Sequence, residues 1–323
     1  MRPLKFHPIL KQTLWGGERI IPYKELASEL SRVGESWELS GMPGSESVVA
    51  EGPWTGSTLP ELIGRFGAEL LGKANYARFG QEFPLLVKFI DAREDLSIQV
   101  HPDDELARKR HGKSGKCEMW YVLEAEPGAS LLTGFSRPIA PAEYERRVAD
   151  NTLTDVLNRQ AIASGDVFYL PAGRVHSIGK GSFIVEIQQS SDITYRIYDF
   201  DRRDAAGNSR ELHTELAREA IDFEPSENSR ITYAPENNQE VRLVTTPYFT
   251  TSLYTLTART RCDWSATDSF VAIVLLQGSG SLTDNEGNRI DVRQGETWLL
   301  PASTQWTEIT PHTAPLRLLT SRI

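Results

Sequence analysis

A chain of 323 residues is about twice a typical domain, so it buries a sizeable core and divides into roughly two domains without needing staples. Its 35 Lys and Arg against 44 Asp and Glu leave a formal charge of -9, which offers nothing global to nucleic acid or an anionic membrane and makes any phosphate site a local feature. A hydrophobic fraction of 39%, a charged fraction of 24% and two cysteines, Cys117 and Cys262, exclude wholesale disorder, a disulfide framework and a cysteine-built zinc finger, and suit a reducing compartment.

The opening stretch MRPLKFHPILKQTLWGG has no continuous apolar run of the secretory kind, and the longest apolar run, 270–276, is seven residues where a membrane span needs about twenty. The expected location is the cytoplasm. In chain order, a helix is predicted over 59–73 (LPELIGRFGAELLGK) and strands over 83–91 (FPLLVKFID), 96–101 (LSIQVH) and 118–124 (EMWYVLE). A second helix is predicted over 141–158 (PAEYERRVADNTLTDVLN), then strands over 166–170, 183–189 and 193–198 and a helix around 213–221. The polar, aperiodic stretch around 225–240 reads as a boundary, and strands resume over 242–247, 270–276 and 297–300. Many strands, few helices and no βαβ alternation predict a mainly β chain.

A weak internal repeat refines this. GDVFYLPAGRVH (165–176) aligns without a gap on GETWLLPASTQW (295–306), 130 residues later, with Gly, acid, aromatic, Leu, Pro and Ala in register. Two copies of one β-barrel unit follow, with an expected division into 1–232 and 233–323. Trp306 stands where the first copy has His176, so metal chemistry is expected in the first copy alone. Trp306 is expected to help fill the second barrel, where its removal would cost about 3–5 kcal/mol if fully buried.

In LSIQVHPDD, period two puts Ser97, Gln99 and His101 on one strand face and Ile98 and Val100 on the other. Buried polar groups in a row need partners, and a cation can satisfy Gln and His together. Glu118 opens the next strand. In GDVFYLPAGRVHS, Pro171 and Gly173 make the turn that aims His176 inward. Gln99, His101, Glu118 and His176 thus offer two nitrogen and two oxygen ligands, a set that suits zinc or another divalent first-row metal. Asp103 and Asp104 are expected to cap a turn or to orient the metal histidine.

The spacing from Gly165 to His176 resembles the second motif of the cupins, double-sheet jelly rolls, with Lys180 where an Asn is usual. The strings FPLLVKFIDAREDLSIQVHPDD (83–104), GKCEMWYVLE (115–124) and EIQQSSDITYRIYDF (186–200), with LWGG (14–17), GESWE (34–38) and RELH (210–213), resemble the class I mannose-6-phosphate isomerases in their short bacterial form. The resemblance runs densely over the site and diffusely after about residue 215. It implies two cupin-like jelly-roll barrels with a few accessory helices, zinc held by Gln99, His101, Glu118 and His176, and Arg196 as the active-site arginine of the T-Y-R-x-Y-D motif. The implied reaction interconverts mannose 6-phosphate and fructose 6-phosphate through a cis-enediol, with a metal polarising the sugar oxygens. Arg196 and Lys116 would stabilise negative charge, and Glu186 and His101 stand as alternative bases. Lys88, alone in an apolar strand, and Ser97 are expected at the phosphate end. The expected partner is a small sugar phosphate, with no nucleic acid and no membrane, and the enzyme is expected as a monomer or homodimer. Two other readings fit the same residues: an iron cupin oxygenase, testable by oxygen uptake, and a non-catalytic sugar-binding cupin.

Overall fold

The longest apolar runs of the sequence become central strands of two large antiparallel sheets. The computed structural model describes residues 1–226 and 229–323, so part of the predicted boundary, at 227 and 228, lies outside the described residues. In the first half, seven strands pair in the order Arg230–Ile231, Val167–Leu170, Glu118–Ala125, Ser182–Gln189, Leu85–Ala92, Ile9–Gly17 and Val33–Leu39. Five more pair in the order Leu157–Ala161, Ser130–Phe135, His176–Ile178, Ile98–Val100 and Tyr195–Tyr198. Trp120, Phe168 and Ile184 of the larger sheet pack with Leu131 and Ile178 of the smaller, so the two form one sandwich. The second half repeats the plan with sheets of six and four strands around Trp264, Ile273, Leu282, Trp298 and Ile309. The mainly β, jelly-roll expectation is borne out.

The two large sheets also meet back to back. Leu85, Val87, Phe89, Met119 and Val185 of the first share one apolar cluster with Ala272, Val274, Leu299 and Leu319 of the second. Both faces of Leu85–Ala92 are therefore covered, and all eight of its residues are buried, which is why its apolar residues fall on both faces rather than alternating with solvated ones. The chain start joins the far half: Leu4–Lys5 pairs with Thr297–Leu300.

Helices cover the outer face of the five-stranded sheet, where Ile98, Val100, Tyr195 and Ile197 pack with Ala107, Tyr144 and Ala217. The strand carrying Gln99 thus turns its apolar side out under helices and its polar side in, toward the other sheet. The helix expected over 59–73 is three: Leu59–Phe66, Ala68–Leu71 and Lys73–Phe79. Gly72 breaks it at φ +95°, where a Cβ would lie 2.2 Å from the Asp268 carbonyl oxygen. The helix expected over 141–158 ends at Ala149, and a 3₁₀ turn, Leu153–Val156, leads into the strand Leu157–Ala161. The helix Asp104–His111 was not anticipated, because it buries only Ala107 and so carries no apolar period. Asp103 caps it by accepting from the Leu106 N–H at 2.8 Å.

The internal repeat is structural. Gly165 and Gly295 both have positive φ, each precedes a four-residue strand, and His176 and Trp306 each open the next one. One expectation needs correction: Trp306 is only half-buried, with the Arg261 guanidinium 4.2 Å from its ring centroid. In the second copy the strand phase slips by one residue, and such a slip exchanges the two faces. Thr307 and Ile309 are buried there, and Trp264 Nε1 donates to Thr307 Oγ1 at 3.1 Å. The interior is filled by Trp264 and Trp298 instead.

Candidate metal centre and active site

Strand register assembles the site. In the five-stranded sheet, His176 lies opposite Gln99 and Gln99 opposite Arg196, so the three side chains stand abreast on one face. Gln99 Nε2 is 3.3 Å from His176 Nε2, and Ser97 Oγ is 3.5 Å from Gln99 Oε1. His101 follows on the same parity, its ring centroid 4.8 Å from that of His176. From the facing sheet Glu118, fully buried, places Oε1 3.3 Å from His176 Nε2 and Oε2 3.5 Å from His101 Nε2.

Both imidazoles are oriented by main chain. His101 Nδ1 lies 2.7 Å from the Ile193 carbonyl oxygen and His176 Nδ1 2.8 Å from that of Arg174. A carbonyl only accepts, so each Nδ1 carries the proton and each Nε2 turns a lone pair toward Glu118. Burial, and after it the Lys116 ammonium, holds the His101 imidazolium well below its usual range and brings His176 to about 4. Burial, aided by Glu186 and opposed by Lys116, raises the Glu118 carboxyl to about 7. Glu118 Oε1 is buried without a hydrogen-bond partner. One ligand atom from each of His101, Glu118 and His176 lies within 4.8 Å of the others. Glu118 Oε1 has no donor of its own, and a divalent cation among the three side chains would satisfy it and take both Nε2 lone pairs as ligands.

Charged groups surround this cluster. The buried Lys116 ammonium contacts Glu118 Oε2, stands 3.0 Å from His101 Nε2 and lies 4.0 Å from Glu186. Glu186 accepts from Lys88 at 3.1 Å and from Trp120 Nε1 at 2.9 Å. Burial alone would raise its carboxyl, but Lys116, Lys88 and the Trp120 bond outweigh it and hold Glu186 at about 2. Lys88 is flanked by two carboxylates, Glu186 and, at 3.5 Å, Glu35. Against the cost of burial, that pair keeps its ammonium charged well above the usual lysine range.

Arg196 stands at the edge strand. Its Nη1 donates to the Glu211 carbonyl at 2.9 Å while its Nε is buried without a partner. Its main chain is bonded in both directions to His213, which gives the RELH motif a role: the Arg196 N–H donates to His213 Nδ1 and the His213 N–H donates to the Arg196 carbonyl. Nearby Arg202 contacts the Asp95 carbonyl through Nη2 and leaves Nη1 buried and unpartnered. Asp199 is shared by Arg202 at 3.6 Å and Arg210 at 2.5 Å. Sequence reading missed Arg202 and Glu35; the Arg-Arg pair after TYRIYDF and the GESWE string were their signals. Asp104 takes the place of a histidine-orienting group only indirectly: it accepts from the Gly115 N–H and from Gln189 Nε2, fixing the turn before Lys116.

A double-sheet β fold, a buried His-Glu-His cluster that could hold a metal ion and arginine N–H groups without partners are the makings of an enzyme site of the metal-binding cupin class. The family model "Phosphomannose isomerase type I, catalytic domain" matches residues 4–132. The mannose-6-phosphate isomerase ManA of Bacillus subtilis is 34% identical over 303 residues, 93% of each chain. The mannose-6-phosphate isomerase of Streptococcus mutans is 33% identical, covering 93% of this chain and 92% of its own. The crystal structure of mannose 6-phosphate isomerase from Bacillus subtilis superposes with a TM-score of 0.90 at 30% identity over 100% of both chains. The chain belongs to the type I phosphomannose isomerase family and is an isomerase. Among the described residues no helix is long and apolar enough to cross a membrane.

Proposed function

We propose that the chain interconverts mannose 6-phosphate and fructose 6-phosphate by moving a proton between C2 and C1 through a cis-enediol, with zinc held by His101, Glu118, His176 and Gln99. The observation that carries the metal reading is the unpartnered Glu118 Oε1, 3.3 Å from His176 Nε2, in a carboxylate whose other oxygen is 3.5 Å from His101 Nε2. A bound divalent ion supplies Lewis-acid polarisation of the sugar oxygens. The Lys116 Nζ, placed beside the cluster, stabilises the oxyanion as it develops. Glu186, with both oxygens engaged, acts by holding Lys116 rather than as the base. The phosphate is assigned to the unpartnered N–H groups of Arg196 and Arg202, with Ser97 lining the approach, because the Lys88 ammonium is already matched by two carboxylates. In the same reading residues 1–232 form the catalytic part, 233–323 a barrel without a metal site, and the enzyme works in the cytoplasm as a monomer or homodimer.

The test is a coupled assay for fructose 6-phosphate formed from mannose 6-phosphate, before and after chelation and with zinc restored. Turnover that chelation removes and zinc returns is the expected result. Oxygen uptake with iron in place of isomerisation would overturn it, since two His and one carboxylate also suit an iron oxygenase.

A further inference from the structure

Glu35 lies outside the ligand cluster yet is joined to it by an unbroken row of alternating charges. Its Oε2 is 3.5 Å from Lys88 Nζ; Lys88 is 3.1 Å from Glu186 Oε1; the same oxygen is 4.0 Å from Lys116 Nζ, which contacts Glu118. Register builds the row. Trp37 lies opposite Lys88, Lys88 opposite Glu186 and Glu186 opposite Trp120, so all four side chains share the face that looks onto the site. Glu35 is two residues before Trp37 on that face, and its carboxylate is fixed by the Trp37 Nε1 donor at 2.6 Å.

Each buried ammonium in the row is thereby flanked by two carboxylates: Lys88 by Glu35 and Glu186, Lys116 by Glu186 and Glu118. Without the Glu35 charge, Lys88 has Glu186 alone and must share it with Lys116, whose other carboxylate is Glu118. The opposite face of the same strand already carries the packing role, through Ser36 and Glu38, with Glu38 2.9 Å from the buried Lys24. Glu35 and Trp37 are not needed for that contact.

We propose that Glu35 is a positioning residue of the isomerase: it holds Lys88 from the outer side, which leaves Glu186 placed between two ammoniums and so sets Lys116 against the ligand cluster. The inference rests on the assignment of Lys116 to the reacting centre above. Its test uses the metal-loaded full chain with Glu35→Gln, which keeps an acceptor for Trp37 and removes only the charge, together with Glu35→Asp, Lys88→Met and the double variant E35Q/K88M.

The expected result for Glu35→Gln is a kcat lower by about 10–100-fold, the usual range for a lost outer partner, with KM, bound metal and Tm near wild type. Glu35→Asp should recover much of the rate, and E35Q should add no further loss to K88M because its effect runs through Lys88. An unchanged kcat in Glu35→Gln, or losses that multiply in the double variant, would overturn the inference while wild-type turnover left the isomerase reading standing. A fully metal-loaded wild-type chain inert on mannose 6-phosphate would overturn both.

Discussion

Glu118 shows how one residue's surroundings set a measurable behaviour. Its carboxyl is raised from 4.5 to about 7, chiefly by burial, so below that value a proton competes with the metal. Apparent zinc affinity should therefore rise about tenfold per pH unit up to about 7 and then flatten, since His176, at about 4, is already deprotonated there. Metal titrations from pH 5 to 8 check this; a flat profile refutes it. The sign for stability is opposite. Between 4.5 and 7 the metal-free fold binds a proton that the unfolded chain does not, so its stability should fall as pH rises through that window. The two arginines make a second prediction. Arg196→Ala and Arg202→Ala should each raise KM for mannose 6-phosphate by at least about tenfold, as expected for a lost charge-assisted bond of roughly 1.5–3 kcal/mol. Equal KM values for the phosphorylated sugar in wild type and variants would remove the phosphate assignment.

At the scale of elements, phase decides which side chains matter. His176 and Trp306 occupy equivalent places in the repeat, yet one points into its sandwich and the other out, because the second copy slips by one residue after its turn. Trp298→Ala, at 1% exposure, should therefore cost about 3–5 kcal/mol, whereas Trp306→Ala should cost only about 1–2 kcal/mol; denaturant unfolding of both variants decides it. Glycine sets element boundaries in the same physical way. Gly72, with φ +95° and ψ 154°, occupies a region nearly closed to other residues, so Gly72→Ala should destabilise by at least about 1–3 kcal/mol, read as a lowered Tm. Loss of nothing there would mean that the helix break is set elsewhere.

For the whole molecule, the main structural fact is that the large sheets share one core. Leu85, Val87 and Phe89 from one half and Val274, Leu299 and Leu319 from the other belong to a single cluster, and the first strand of the chain crosses to pair in the second half. A fragment ending at residue 232 would expose that apolar face, and size-exclusion chromatography should find it aggregated rather than monomeric. The same back-to-back packing gives the second barrel a use without any chemistry: it covers the outer face of the sheet whose inner face carries Lys88, Glu118 and Glu186.

Much of this protein was legible along the chain. Strand period, the repeat from Gly165 and Gly295, and the donor types in Gln99, His101, Glu118 and His176 are local properties, and local patterns survive folding when one face is buried and the other is not. What the chain alone left open was everything set by neighbours distant in sequence. The helix Asp104–His111 has no apolar stripe to announce it. Lys88 looks like a free cation in its strand until register brings Glu186 opposite it and Glu35 beside it. Arg202 becomes a donor without a partner only once its surroundings are buried. Residue type and spacing picked out the candidate ligands and determined the class of fold; cross-strand register and burial, which act between segments about a hundred residues apart, decided which charges are matched and which are left without a partner.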